Sequence, residues 1–380
     1  RTDGSAPAAI LRLADLTLFG DTVLDTAYVD DATGASLTVG NVTSQTHALT
    51  LDGGALGAVS LLSLGDDGDF TIRDSLATTV SGTVDANEVL LTNTRNQILF
   101  NDLVTANSVE APDSNVGTVR FVAAPDVSGT GVFDNNGGPQ SLVLDDGGFF
   151  GEGFETLAGT TTQLAATLET DDFDILLGDT LTLGGDATLL TGPGGFAIVD
   201  TQAITDGSGA FTLSLQQADP GERYGDVFVN GPITVDALET FDADFSVELL
   251  EGGQIDQDTN FRNTGFVVLG DGDNATMAPV TDDLLFAGGV ATTGNPSNPV
   301  ETSLAGFVHT TDAQIDFGDS TLVSLDGLTS VDSGTADTNI ASLAEFTDPQ
   351  TLELQNAGGT GALTVLGDVS IDELVTFGQA

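Results

Sequence analysis

The chain has 380 residues, 58 of them acidic and only 7 basic, which gives a formal net charge of −51. All the basic residues are arginine, and there is no cysteine. The charge excludes nucleic-acid binding through a basic surface, and the lack of cysteine excludes disulfides and zinc–thiolate sites. No apolar run approaches the roughly 20 residues that a membrane-spanning helix needs, although a hydrophobic share of 40% is enough to build a core.

Short apolar or alternating segments recur along the chain, and helical periodicity is almost absent. Each segment is about 4–6 residues long and rich in Val, Leu, Ile, Phe and Thr, a pattern typical of many short strands. Asp-Gly, Asn-Gly and Gly-Gly pairs separate the segments and supply the positive-φ corners that tight bends need. In chain order the clearest segments are 48–51, 59–64, 88–92, 96–100, 118–122, 141–144, 180–183, 211–215 and 265–269.

This pattern fits two all-β folds, a parallel β-solenoid and a series of antiparallel β-sandwiches. A degenerate phrase favours the solenoid: an apolar residue, a Gly, Asn or Asp corner, an alternating strand, and a second Asp or Asn corner. It recurs, without a fixed period, at 100–109, 229–238, 317–328 and 366–374. We therefore predict a parallel β-solenoid (β-helix) with short strands and Gly, Asp and Asn corners, and keep tandem antiparallel sandwiches as the alternative.

Two regions follow from the distribution of these segments. Residues 1–35 are predicted to be an N-terminal strand segment that leads into the coil. Residues 36–380 are predicted to form the solenoid repeat region, with longer loops near 145–160 and 271–300. The chain starts at Arg1 and stops within a strand-and-turn pattern, so we expect a processed product or a fragment of a longer protein.

A family resemblance supports the same fold. The segment 261–270 reads Phe-Arg-Asn-Thr-Gly-Phe-Val-Val-Leu-Gly. It resembles the F-x-N-x-G-x-V-x-L rungs of filamentous-haemagglutinin-like adhesins and autotransporter-associated β-strand-repeat surface proteins. Over residues 36–380 the resemblance is one of general pattern, short strands separated by Gly, Asp and Asn corners, and not of one diagnostic motif. The resemblance implies a parallel β-helix at a cell surface, acting in adhesion or as a fibre.

Closely spaced carboxylates have three interpretations: solvated turns, cation sites, or a catalytic pair of the kind that glycosidases use. Short Asp-Gly-Asp loops gather oxygens toward one point, so Ca²⁺ is the one cofactor that the sequence suggests. The predicted cation ligands are Asp66, Asp67, Asp69, Asp271, Asp273 and Asn274. We predict no catalytic residues; a polysaccharide lyase or hydrolase would need pairs such as 145–146 or 171–172.

Other polar residues suggest local roles. Asn41 and Asn274 lie in N-x-T triplets and are candidate N-glycosylation sites. We expect His47 and His309 to be ordinary strand residues. Arginine binds carboxylates through a planar fork, so we expect the strand arginines to neutralise acids within the chain. These are Arg73, Arg95, Arg120, Arg223 and Arg262.

The predicted function is structural. We expect a non-catalytic extracellular or cell-surface protein, in a saline or cation-rich setting, that forms a fibre, sheath or adhesin stalk as a homo-oligomer or filament. High salt would screen the self-repulsion of the acidic surface. The first alternative is a carbohydrate-binding adhesin module that takes glycans as partners, with the long loops near 145–160 and 271–300 as the contact surface. The second is a polysaccharide-degrading β-helix enzyme. Neither nucleic acid nor a membrane span is expected.

Overall fold

The computed structural model is built from β-strands and corners, and no helix occurs among the residues that it describes. The chain divides into two compact units, Arg1–Asp179 and Thr180–Ala380. No helix in the described part of the chain is long and apolar enough to cross a membrane. The described residues are 10–26, 34–113, 116–133, 140–207, 209–217, 221–271, 282–292, 298–318, 322–345, 351–355 and 360–377.

The first unit contains nineteen described strands. Most are short, and the longest continue from one side of the coil to the next. They are β1 Ile10–Leu13, β2 Leu16–Thr17, β3 Thr22–Asp25, β4 Ser36–Thr43, β5 Leu49–Asp52, β6 Ala58–Asp74, β7 Ala77–Val80, β8 Val84–Thr92, β9 Gln97–Phe100, β10 Val104–Ala106, β11 Ser108–Asp113, β12 Thr118–Phe121, β13 Asp126–Val127, β14 Gly131–Phe133, β15 Gln140–Leu144, β16 Gly148–Phe150, β17 Phe154–Thr156, β18 Thr160–Thr170 and β19 Ile175–Leu177.

These strands stack into three parallel columns, one for each side of a coil. The first column runs β1, β4, β6, β7, β9, β12, β15 and the start of β18. The second runs β2, β4, β6, β8, β10, β13, β16 and the end of β18. The third runs β3, β5, β6, β8, β11, β14, β17 and β19. Every pairing is parallel, which identifies a β-solenoid and rules out antiparallel sandwiches in this unit.

The second unit repeats the architecture with strands of the same kind. They are β20 Leu181–Leu190, β21 Ile198–Thr201, β22 Ile204–Thr205, β23 Thr212–Leu215, β24 Asp226–Val229, β25 Ile233–Val235, β26 Ala237–Thr240, β27 Val247–Leu249, β28 Gly253–Ile255, β29 Thr259–Asn260, β30 Phe266–Leu269, β31 Asp283–Phe286, β32 Val290–Ala291, β33 Glu301–His309, β34 Ile315–Phe317, β35 Leu322–Asp332, β36 Thr338–Ile340, β37 Leu343–Glu345, β38 Thr351–Gln355, β39 Leu363–Val365, β40 Val369–Ser370 and β41 Glu373–Phe377.

Two columns of the second unit are continuous parallel ladders. One runs β20, β22, β25, β28, β31, β33, β35, β38 and β41. Another runs β21, β24, β27, β30, β33, β35, β37 and β40. The third column consists of two separate ladders: β20, β23 and β26 form the first, and β29, β32, β34, β36 and β39 form the second.

The interior of each coil is filled by side chains that alternate inward along the strands, as the period of two in a β-strand requires. In the first unit, Phe100 and Phe121 occupy paired positions of adjacent coils, and their rings stack with centroids 5.0 Å apart. Phe121 also meets the edge of Phe133 at 6.4 Å. All three side chains are fully buried. Adjacent coils are therefore joined by packed side chains inside as well as by backbone hydrogen bonds outside.

Glycine is required at some corners because neighbouring coils approach closely. Gly147 has φ +74°, and a Cβ atom at this position would lie 1.9 Å from the carbonyl oxygen of Thr167 in the next coil. Any other residue would be strained in this backbone conformation and would also clash. The glycine-rich composition thus has a local cause.

Some predicted boundaries differ from the structure. Within 1–35, β1, β2 and β3 already pair in register with β4 and β5, so the ladders of the coil begin before residue 36. The predicted loop 145–160 contains β16 and β17, and the glycines in and around β16 hide the strand pattern in the sequence. The predicted loop 271–300 contains β31 and β32, and its residues 272–281 and 293–297 lie outside the described residues.

Candidate functional site

The first predicted cation loop lies at a corner within β6. Asp66 and Asp67 have φ of 78° and 55°, and the register shifts between Leu64 and Gly68. Asp66, Asp67 and Asp69 are all exposed. Asp69 Oδ1 accepts a hydrogen bond from Asn87 Nδ2 at 2.8 Å, so one of the three carboxylates is engaged by the next coil.

The same corner brings in a carboxylate that the sequence pattern did not indicate. Burial, and then the proximity of Asp67 and Asp66, raises the pKa of the Asp85 carboxyl. Adjacent coils therefore bring together acids that are 18 or more positions apart in the chain. Among the described residues, no group of three or more His, Cys, Asp or Glu side chains is arranged to hold a metal ion. The Ca²⁺ assignment stays a prediction.

The second predicted cation loop is described only at its first residue. Asp271 is exposed just after β30, whereas Asp273 and Asn274 lie outside the described residues. The candidate glycosylation residue Asn274 falls there too. Asn41 is exposed in β4, where its Nδ2 donates to Asp15 Oδ1 at 2.9 Å and its Oδ1 accepts from Ser63 Oγ at 2.8 Å. A glycan on Asn41 would disturb this polar ladder across three coils.

Three of the strand arginines pair with acids of a neighbouring coil, as predicted. Arg73 binds the buried carboxylate of Asp52 through Nε at 2.7 Å and through Nη2. Arg120 Nε lies 2.7 Å from Asp145 Oδ2. One carboxylate of the pair 145–146, which a catalytic role would need, is therefore engaged in an ion pair. The weakest contact joins Arg223 Nε to Asp244 Oδ2 at 4.0 Å.

Both histidines lie beside an acid of the adjacent coil. His309 Nε2 is 2.8 Å from Asp283 Oδ1, and its ring stacks on Phe307 with centroids 4.5 Å apart. His47 Nδ1 is 3.9 Å from Asp21 Oδ1. Each is a strand or corner residue held by its neighbours along the coil axis.

A cleft lies at the interrupted column of the second unit. Although β26 and β29 occupy successive coils, these two strands form no backbone ladder with each other. A side chain bridges them instead: Thr240 Oγ1 accepts the backbone N–H of Arg262 at 2.7 Å and lies 3.5 Å from the carbonyl oxygen of Asn260. Because no backbone ladder joins β26 to β29, the outer face of the coil is open between these two strands.

This cleft has a volume of about 390 Å³, within the range of small-ligand sites. The side chains around it combine both charge signs, an amide, a hydroxyl and an aromatic ring. Its lining residues are Leu238, Glu239, Thr240, Phe241, Asp258, Asn260 and Arg262. Glu239, Asp258 and Arg262 are exposed, whereas Phe241 and Asn260 are half-buried.

The elements around the cleft hold its charged residues in place. Phe261 and Asn263 are fully buried, so the intervening Arg262 is turned outward. Ser214 Oγ lies 3.5 Å from Glu239 Oε2 in the ladder below. On the other side, the corner glycine Gly288 packs so closely that a Cβ on it would lie 2.4 Å from the backbone nitrogen of Asp258.

Sequence reasoning did not predict this cleft. Arg262 was expected to neutralise an acid, but among the described residues no carboxylate lies within 4.0 Å of its guanidinium. The only signal in the sequence was the outward position of Arg262 between Phe261 and Asn263. Glu239 carries no pattern that marks it, because it joins Arg262 only through the stacking of coils. Asp258 lies four positions before Arg262, at the other end of β29, and no motif marks it either.

Comparisons with family models, with curated proteins and with solved structures found no match to this chain.

Proposed function

We propose that the protein is an extracellular scaffold, a β-solenoid segment of a surface fibre, sheath or adhesin stalk that assembles with copies of itself and is not an enzyme. The observation that carries this proposal is the construction of each unit. Parallel ladders repeat from coil to coil, and inward Leu, Val, Ile and Phe side chains fill the interior. Such a coil has a continuous core and resists extension, because separating two coils breaks several ladders together.

The surface charge supports a saline or cation-rich location. A net charge of −51 with no lysine makes the folded state repel itself unless counterions screen the carboxylates. The screening length falls from about 10 Å at 0.1 M salt to about 3 Å at 1 M. The same screening would let two acidic surfaces approach, so assembly between copies is expected to depend on salt or on divalent cations.

Two phenyl rings are the positions that we expect to lie in contacts between copies. Phe19 is 85% exposed in the first unit and Phe196 is 86% exposed in the second. These are the highest values for large hydrophobic side chains among the described residues. A phenyl ring that is desolvated in a contact between two copies stabilises that contact by burying apolar area, and it packs in defined geometries.

Electron microscopy tests the scaffold proposal. The purified chain would be imaged in negative stain at high NaCl, with CaCl₂ and with EDTA, beside the double variant F19A/F196A. Elongated assemblies that shorten or disappear in the variant are expected. A matched control, F121L, alters a buried ring and leaves the surface unchanged. Isolated compact particles under every condition would contradict the proposal.

A carbohydrate-binding adhesin is the second candidate function, and the cleft at Arg262 favours it. The loops near 145–160 and 271–300 were the contact surface that the sequence suggested for glycans. The cleft offers a more specific location, because donors, acceptors and an aromatic ring lie around one concave space.

A further inference from the structure

We infer that the cleft between β26 and β29 is a binding site for a neutral saccharide. This goes beyond the scaffold function and gives the carbohydrate-binding candidate a site and a ligand class. The residues of the site are Glu239, Asp258, Asn260 and Arg262, together with the half-buried Phe241.

The chemistry of the lining matches a polyhydroxylated ligand. Each sugar hydroxyl both donates and accepts hydrogen bonds, so a sugar needs acceptors and donors at one place. Glu239 and Asp258 supply carboxylate acceptors, and Arg262 supplies up to five N–H donors in a planar fork. Hydrogen bonds to charged groups are stronger than those between neutral groups. The ring of Phe241 offers an apolar surface for the C–H face of a sugar ring.

The charges of the cleft disfavour ions of either sign. An anionic ligand would meet Glu239 and Asp258 within a chain of net charge −51. A divalent cation would find two carboxylates beside the guanidinium of Arg262, and Ca²⁺ requires six to eight oxygen ligands. A neutral ligand can donate hydrogen bonds to the carboxylates and accept them from the guanidinium. It therefore avoids both the repulsion of an anion by Glu239 and Asp258 and the repulsion of a cation by Arg262.

The backbone around the cleft is fixed before any ligand arrives. Thr240 connects the two strands through the N–H of Arg262, and the buried side chains of Phe261 and Asn263 anchor the backbone of Arg262 on either side. The close corner at Gly288 restricts the backbone at Asp258. Groups that are already positioned lose less entropy on binding, which favours affinity.

Binding to immobilised glycans tests the inference. The full chain would be applied to an array of neutral oligosaccharides and uronic-acid oligosaccharides at about 0.1 M and about 1 M NaCl, spanning strong and weak charge screening. The variants are R262A, E239Q and D258N, and the matched controls are R95A and E152Q, whose side chains are exposed in the first unit. Circular dichroism confirms that each variant folds.

We expect a neutral glycan to bind at both salt concentrations. R262A should weaken this binding about tenfold or more, the effect of losing one hydrogen bond to a charged group. E239Q and D258N keep an acceptor oxygen but lose the charge, so each should weaken binding less, about threefold, while both controls bind as the parent does. The inference is overturned if no neutral glycan binds the folded chain, if only uronic-acid glycans bind, or if the cleft variants bind as well as the parent. Images of assembly are independent of this result, so the scaffold proposal and the site can fail separately.

Discussion

The stacked phenylalanines of the first unit provide a direct measure of how the core stabilises the coil. Phe121 is fully buried, lies parallel to Phe100 with ring centroids 5.0 Å apart, and meets Phe133 edge-on. The perturbation is F121A, which removes the ring and leaves a cavity between two coils. F19A is its control, because Phe19 is 85% exposed in the same unit.

The expected magnitude follows from burial and ring contacts. Truncating a buried Phe to Ala costs about 3–5 kcal/mol, and aromatic pairing contributes about 0.5–1.5 kcal/mol per pair beyond the buried area. We therefore expect F121A to lower the free energy of unfolding of the first unit by about 4 kcal/mol or more. The variant F121L keeps an apolar side chain but loses both ring contacts, so it should lose less than F121A, about 1–3 kcal/mol, and F19A should stay within about 0.5 kcal/mol of the parent.

Hydrogen exchange is the appropriate assay because a two-unit chain need not unfold in one step. The local probes are the amide of Val122, which donates to Phe100 O at 2.9 Å, and the amide of Asp145, which donates to Phe121 O at 3.0 Å. A loss of 4 kcal/mol corresponds to about a thousandfold faster exchange through unfolding. The amide of Asn230 in the second unit serves as the internal reference.

The reasoning is refuted if F121A accelerates exchange at Val122 and Asp145 by less than about fivefold, which is a loss of only about 1 kcal/mol. It also fails if F19A has an effect as large as F121A. Either result would mean that the interior stack does not determine the stability of this coil.

Three further predictions concern the surface and the corners. Burial raises the pKa of the Glu248 carboxyl, so the folded state binds its proton more tightly than the unfolded chain does. The resulting contribution to stability is present at low pH and is lost as pH rises through the raised pKa. E248Q should therefore raise the urea midpoint at pH 7 and reduce the gain in stability on acidification, and an unchanged midpoint at pH 7 would argue against this reasoning. G147A should lower the free energy of unfolding by about 2 kcal/mol or more, because Gly147 has a positive φ and a Cβ there would clash with Thr167 O. The control is G65A, where an added Cβ meets no atom within 4 Å. Equal losses in the two variants would contradict the steric explanation. Raising NaCl from about 0.1 to 1 M should increase the thermal midpoint by screening the carboxylates, and a decrease in that midpoint would show that self-repulsion does not limit stability.

Much of the fold was predictable from local pattern. Segment 118–122 alternates apolar and polar residues, and the structure turns Val119 and Phe121 inward as that alternation requires; they pair with the buried Ile98 and Phe100 of the apolar segment 96–100. Gly and Asp residues at the corners indicated where the strands begin and end. By contrast, 145–160 looked like a loop because the glycines around β16 conceal two short strands that tertiary packing stabilises.

The lengths of the coils could not be predicted in the same way. Thr78 pairs with Val59, 19 positions earlier, whereas Leu284 pairs with Gly253, 31 positions earlier. A corner can gain or lose residues at little energetic cost, since the cost of closing a loop grows slowly with its length. The sequence therefore contains no constant period from which the neighbours in adjacent coils could be deduced.

By itself the sequence determined that this protein is built from many short strands with an apolar inner face and an acidic exterior, because alternation and corner residues act within a few positions of the chain. It favoured a parallel coil, but the pairing of the strands excluded antiparallel sandwiches only in the structure. Only the tertiary structure decided which outward side chains meet. Glu239 lies in the coil before Asp258 and Arg262, and it lines the same cleft because the two coils stack and because β26 and β29 do not form a ladder. Contacts between coils depend on register, and register is set by the packing of the whole unit.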